Sequence, residues 1–237
     1  MRRIFFNCFA TTAAAALGAS AALAGGQMMP GGQGGMGRPS SVNQPGEEMQ
    51  TAPPADKPDA ASRKAYAAGM KSLAKAKEYA SAAAAAQNSD KKANALEKMG
   101  DAYNRALDQF TEALSNKGDM FEAWNNVGYI HLRLGAYAEA VDDYNHTLAL
   151  KPDLPEAVEH RGEAYLGLDR LDEAKAAYMD LFNHTRPLAD ALMVAMQKWL
   201  AEHRSNANGM RAADVEAFDK WLQERDGIAK QTASLPH

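Results

Sequence analysis

Cysteine is nearly absent. The single one, Cys8, lies in an apolar stretch near the start of the chain, so the rest has no disulfide, no thiolate metal site and no cysteine nucleophile. Blocks of basic residues are missing too. A chain of net charge −4 without a Lys/Arg cluster lacks the electrostatic footprint of a nucleic-acid binder. There is no G-x-S-x-G, no H-E-x-x-H and no Walker phosphate loop, which leaves the corresponding hydrolase, zincin and nucleotide chemistries without their residues. The histidines, His131, His146, His160, His184, His203 and His237, are scattered at no ligand spacing. Nothing nominates a catalytic residue, a cofactor or a metal, so the chain is expected not to be an enzyme. After Ser62 no run reads as a strand.

What is present falls into three parts. Met1-Arg2-Arg3 is a short positive start, Ile4 to Ala21 is apolar and small, and Ala22-Leu23-Ala24 has the A-x-A form of a signal-peptidase site. Residues 1–24 are expected to be a Sec signal peptide cleaved after Ala24, placing the mature chain in the periplasm. The rival reading, an uncleaved anchor, is weakened by Asn7, Thr11, Thr12, Ser20 and the alanine excess, which make a poor membrane span. No stable membrane insertion is expected after cleavage. Residues 25–61 are rich in Gly, Pro and Gln, cannot bury enough apolar surface to fold, and are expected to form a disordered tail. Gly32-Gln33-Gly34-Gly35-Met36-Gly37 matches G-x-G-x-x-G in form only, as no strand precedes it and no helix follows. Met28, Met29, Met36 and Met49 in this tail support an alternative function, periplasmic copper handling, because thioethers suit Cu(I).

After Ser62 apolar residues recur at helical spacing, and over residues 87–188 the chain repeats with a period of 34 residues. Trp124 aligns with Val158, Gly128 with Gly162, Ala140 with Ala174 and Tyr144 with Tyr178. One step back, Tyr137, Ala140 and Tyr144 meet Tyr103, Ala106 and Phe110. Trp124, Val127, His131 and Leu134 form one stripe of a first helix, and Tyr137, Ala140, Val141, Tyr144 and Leu148 form the stripe of a second. Gly128 and Ala140 let the two backbones approach closely. Gly135 suits a left-handed helix end, and Asp169 stands at the same place one repeat later. Each hairpin leaves an apolar face that only the next hairpin covers. The repeat-packing set is Trp124, Gly128, Ala140, Tyr144, Gly162, Ala174 and Tyr178.

These residues resemble the tetratricopeptide repeat. The resemblance implies an all-α fold, a right-handed superhelix of antiparallel helix pairs with atypical capping helices at both ends. It covers 121–154 and 155–188 as full repeats. Residues 62–120 become N-terminal helices with a degenerate repeat at 87–120, where Ser89 or Asp90 could cap one long helix. Residues 189–226 become C-terminal capping helices and 227–237 a flexible tail. With the signal and the loose tail, the chain is similar to small periplasmic tetratricopeptide proteins of Gram-negative bacteria.

In that family the first helix of each repeat lines a concave groove holding an extended peptide or a partner helix. The resemblance assigns that surface here to Glu122, Asn125, Asn126, Tyr129, Arg133, Glu156, Glu159, His160 and Glu163. It implies an exported, non-enzymatic protein–protein interaction module, a scaffold or adaptor in the cell envelope. Four glutamates against one arginine favour a basic or neutral protein or peptide partner. The family's two-carboxylate clamp falls near Lys91, Ala95, Asn126, Glu156 and His160, and only Lys91 and Asn126 suit it. His131 is expected to be a satisfied core histidine. Arg161 replaces an apolar residue, so it is expected to snorkel or to pair with Asp142 or Asp143.

Overall fold

The computed structural model describes residues 58–204 and 212–233. Residues 1–24, expected to be a signal, the methionines of the expected tail and the chain end beyond Ala233 lie outside these residues. Eight helices, and no strand, occur among the described residues. They are α1 (Ala60–Ala85), α2 (Ser89–Asn116), α3 (Phe121–Leu134), α4 (Tyr137–Leu150), α5 (Pro155–Gly167), α6 (Leu171–His184), α7 (Arg186–His203) and α8 (Ala212–Ala233). No helix among them is long and apolar enough to cross a membrane.

The helices pair in sequence as antiparallel hairpins, and the hairpins stack. The apolar interior is therefore a row of three clusters instead of one ball. Phe110, Tyr103 and Ile130 centre the first, between α1, α2 and α3. Tyr144 and Ala140 centre the second, between α3, α4 and α5. Tyr178, Leu192, Met196 and Phe218 centre the third, from α5 to α8. This is the nearest-neighbour organisation of a solenoid.

Small residues set the helix spacing, within the α3–α4 hairpin at Gly128 and between α5 and α7 at Gly162. A Cβ added at Gly128 would stand 3.1 Å from the Tyr144 ring, and one at Gly162 would stand 2.7 Å from Leu192. Ala140, Ala174, Tyr144 and Tyr178 have no exposed surface. Trp124 differs from the rest of its set. It is only half-buried, stacks on His146 at 4.6 Å, and donates from Nε1 to the Gly118 carbonyl at 2.8 Å.

The turn inside each repeat demands one left-handed residue. Gly135 supplies it at φ 79°, with the Ala136 N–H returning to the His131 carbonyl at 2.9 Å. Asp169 supplies it one repeat later at φ 58°, with Arg170 N–H bonded to the Tyr165 carbonyl at 2.9 Å. A non-glycine residue in this region carries strain. Asp169 offsets it by accepting from Trp199 Nε1 at 3.3 Å and facing His203 Nε2 at 3.7 Å. The strained turn thereby anchors α7. Asp169→Ala keeps the strain and loses the anchor, so it is expected to cost about 1–2 kcal/mol. A thermal melt followed by circular dichroism would read this as a lowered midpoint; an unchanged midpoint would show that the anchor contributes nothing.

Four expectations are revised at the edges. The helical body starts at Ala60, inside the span assigned to the tail, because Asp59 caps α1 by accepting from the Ser62 N–H and hydroxyl at 2.6 and 2.7 Å. Asn88, not Ser89 or Asp90, caps α2, accepting from the Asp90 and Lys91 N–H groups at 2.8 and 3.2 Å. Residues 87–120 contain no hairpin of their own, since α2 runs unbroken through Gly100 and its antiparallel mate is α1. Finally, α8 continues past Asp226 to Ala233, where a tail was expected. A Lys230–Asp226 ion pair at 2.5 Å ties its last turns together, and the Ala229 carbonyl accepts from Arg186 at 2.9 Å.

The α1–α2 hairpin is a lengthened repeat. A Cβ at Gly69 would meet the Phe110 ring at 2.6 Å, the same close approach that Gly128 makes to Tyr144. Gly128 precedes Tyr144 by 16 residues, whereas Gly69 precedes Phe110 by 41. The extra residues lengthen α1 at its end and α2 at its start, so a period of 34 misses the pairing.

Candidate functional site

The inner faces of α1, α3 and α5 meet around Tyr129. Lys77 of α1 places Nζ 4.8 Å from its ring centroid, and Arg133 of α3 places its guanidinium carbon at 5.1 Å. His160 of α5 meets the ring edge-on at 5.6 Å. Cations over an aromatic face are attracted by its quadrupole. Asn126, one turn before Tyr129, donates to the Glu122 carbonyl at 2.7 Å and to the Tyr66 hydroxyl at 3.3 Å. That second bond ties α3 to α1. Asn125 is half-buried, and its side-chain oxygen has no hydrogen-bond partner.

Tyr129, Arg133, His160, Glu159 and Glu163 form one cluster. Glu122 and Glu156 stay exposed on the rim. Arg133 reaches Glu163 at 3.4 Å. Glu159 is only 6% exposed and lies 3.2 Å from His160 Nε2. Burial, with the neighbouring charge of Glu163 second, pushes its carboxyl up to about 7. Burial likewise pushes His160 down to about 4, with the Arg133 charge adding to it, so this histidine is neutral. Burial raises the Tyr66 and Tyr103 hydroxyls as well, and both remain neutral phenols. Among the described residues no three His, Asp or Glu side chains converge in a metal-binding group.

The count of four glutamates to one arginine therefore needs correcting as a description of the surface. Glu159 turns inward, Glu163 is engaged by Arg133, and α1 brings in Lys77. The groove has an acidic rim, Glu122 and Glu156, around a centre where cations flank an aromatic ring. Sequence reading missed Lys77 and Tyr66 because it sought the first groove helix near Lys91. The available signal was Tyr66 and Gly69 ahead of Phe110. Lys91 itself sits in the first turn of α2.

Arg161 does not pair with Asp142 or Asp143. Its guanidinium donates to the Asn145 side-chain oxygen at 2.7 Å. Asp143 is already taken, with one carboxylate oxygen 2.6 Å from His131 Nδ1. That bond raises the His131 pKa against the effect of burial, and it gives the histidine on the apolar stripe the partner its burial requires.

Tetratricopeptide repeat models match residues 91–155 and 155–183. Residues 91–183 carry tetratricopeptide repeats. No curated protein matches it. The first tetratricopeptide match begins at Lys91, so it omits α1, the helix that supplies Lys77 and Tyr66 to the groove. The repeats fold as a helical solenoid, and such repeats generally bind proteins or peptides.

Proposed function

We propose that the chain is an exported, non-enzymatic tetratricopeptide module, a scaffold or adaptor of the cell envelope, that holds a peptide or a partner helix in the groove lined by α1, α3 and α5. The observation that carries this reading is the arrangement at Tyr129. A rigid aromatic surface lies between two cations and an acidic rim, a combination suited to anchoring a partner by apolar contact and orienting it by charge. The acidic rim and the Glu159–Glu163 pair support a basic or neutral partner. Export rests on Met1 to Ala24 alone. The copper alternative rests on Met28, Met29, Met36 and Met49 together with His160; a flat Cu(I) titration of the mature chain would end it.

The test is in-cell crosslinking and capture of the tagged protein beside a rim variant, Glu122→Lys with Glu156→Lys. Both side chains are exposed, so the fold should survive. Asn126 and Tyr129 are worse choices for this test, as both also hold α1. We expect a partner captured by the wild type to be lost or strongly reduced in the variant. Identical partners in both would remove the groove from the function.

A further inference from the structure

Glu159 and Glu163 stand one turn apart on α5, close enough that the Glu163 charge adds to burial in holding the Glu159 carboxyl up. The groups around them come from every neighbouring helix. Arg133 from α3, Tyr144 from α4 and His160 from α5 itself face them directly, while Lys77 of α1 lies over Tyr129, Tyr103 of α2 is near Tyr129 and Arg133, Asp143 of α4 is near Tyr144, and Glu156 is near His160. On the other side of α5, a Cβ at Gly162 would meet Leu192 of α7 and Ala177 of α6. Two carboxyl groups thus have one direct cation, Arg133, at 3.4 Å from Glu163 and with its side chain 42% exposed. His160 is neutral, and Lys77 is held over Tyr129.

A second observation points the same way. Tyr144 has no exposed surface, yet its hydroxyl has no hydrogen-bond partner. It lies within electrostatic reach of Arg133, Glu163 and Glu159. Burial keeps it a neutral phenol, able to accept from a donor placed among these groups. The buried Nδ1 of His160 is unpartnered as well. Unsatisfied buried acceptors beside a carboxyl pair short of cations are what an incoming donor would complete.

We propose that this cluster is the subsite for one basic side chain of the bound partner, a lysine ammonium or an arginine guanidinium, seated against the Glu159 and Glu163 carboxyls and within reach of the unpartnered Tyr144 hydroxyl. The proposal rests on the reading of the groove as a peptide site. The entrance is Glu163, whose side chain is 23% exposed, and the long, exposed Arg133 side chain swings aside. On binding, the Glu159 carboxyl gives its proton to solvent and faces the partner's cation as a carboxylate. Binding and ionisation are then linked. With the Glu159 carboxyl at about 7, its proton-free fraction rises steeply between pH 6 and pH 8, and affinity for a basic peptide should rise about tenfold over that interval.

The experiment is fluorescence anisotropy of the full chain with labelled Gly/Ser peptides carrying one central Lys, Arg, Glu or Ser. We expect the Lys and Arg peptides to bind more tightly than the Ser peptide, and about tenfold more tightly at pH 8 than at pH 6. Glu159→Gln should abolish both the preference and the pH dependence. Tyr144→Phe, which keeps the ring, should weaken the Lys peptide severalfold. The proposal is overturned by absence of Lys- or Arg-dependent binding, by pH-independent binding, or by a preference that survives Glu159→Gln. The two readings separate cleanly. A groove-dependent cellular partner whose capture ignores pH and Glu159→Gln removes the subsite and leaves the module. A proton-linked Lys preference without any groove-dependent partner leaves the subsite and removes the module.

Discussion

Glu159→Gln is expected to stabilise the protein at pH 8 and to change little at pH 5. The sign follows from burial. In the unfolded chain this carboxyl ionises near its ordinary value of 4.5, while in the fold it holds its proton up to about 7. A raised folded value gives stability that is complete below the unfolded value and is lost as the pH climbs through the folded one. At pH 8 the wild type therefore holds an ionised carboxylate, 6% exposed, beside Glu163, at a cost of up to about 3 kcal/mol. Glutamine keeps the shape and can still donate to Glu163 without acquiring a charge. For a domain of this size that stabilisation corresponds to a midpoint raised by roughly 5–10 °C. Melts of both proteins at pH 5 and pH 8 check it. Equal midpoints at pH 8, or a variant less stable there, would mean that Arg133 and His160 compensate the ionised pair more fully than their distances suggest. Retaining a costly carboxyl on a groove wall agrees with a use in binding.

The second large effect is expected from Phe110→Ala. The Phe110 ring has no exposed surface, fills the space left by Gly69 and packs against Tyr66 at 5.5 Å between centroids. Removing it leaves a cavity in the first of the three clusters, worth about 3–5 kcal/mol. In a solenoid that loss stays local, because each hairpin contacts only its neighbours. We therefore expect the amides of α1 to lose most of their hydrogen-exchange protection while those of α6 and α7 keep theirs. The consequence reaches function. When α1 detaches, Lys77 leaves Tyr129 and the Tyr66–Asn126 bond opens, so partner affinity should fall although no residue of α3 or α5 has changed. Uniform loss of protection along the chain would argue instead for one cooperative unit.

Both predictions turn on features with different visibility in the sequence. The α3–α4 and α5–α6 hairpins were legible because every element of their construction is local. The apolar stripes, the small residue opposite a buried tyrosine, the left-handed turn at Gly135 and Asp169, and Pro155 opening α5 all lie within one period. The groove face was legible only in outline. Nine residues were assigned to it, yet Glu159 faces inward. At about 100° of rotation per residue on a helix, a modest turn of α5 moves a side chain from the rim to the interior. Packing of Gly162 against Leu192 and Ala177 sets that rotation, and no pattern within α5 encodes it. Arg161 shows the same limit. Its charge demanded a partner, but Asp143 is bound by His131 of the preceding helix, and Arg161 donates to Asn145 instead.

The amino-acid sequence by itself determined that this is an all-helical repeat protein of period 34, where its clear hairpins begin and end, and which small and aromatic residues pack them. Those properties follow from local periodicity and backbone conformation, which the chain carries residue by residue. The tertiary structure alone decided that α1, and not the segment near Lys91, is the first wall of the groove, because a pairing 41 residues apart leaves no fixed spacing to read. It also decided that the groove centre is a cation-flanked tyrosine and that Glu159 is buried against Glu163. The physical reason is common to both: charge and accessibility at a helix surface are set by the neighbours that stacking brings, not by the helix's own sequence.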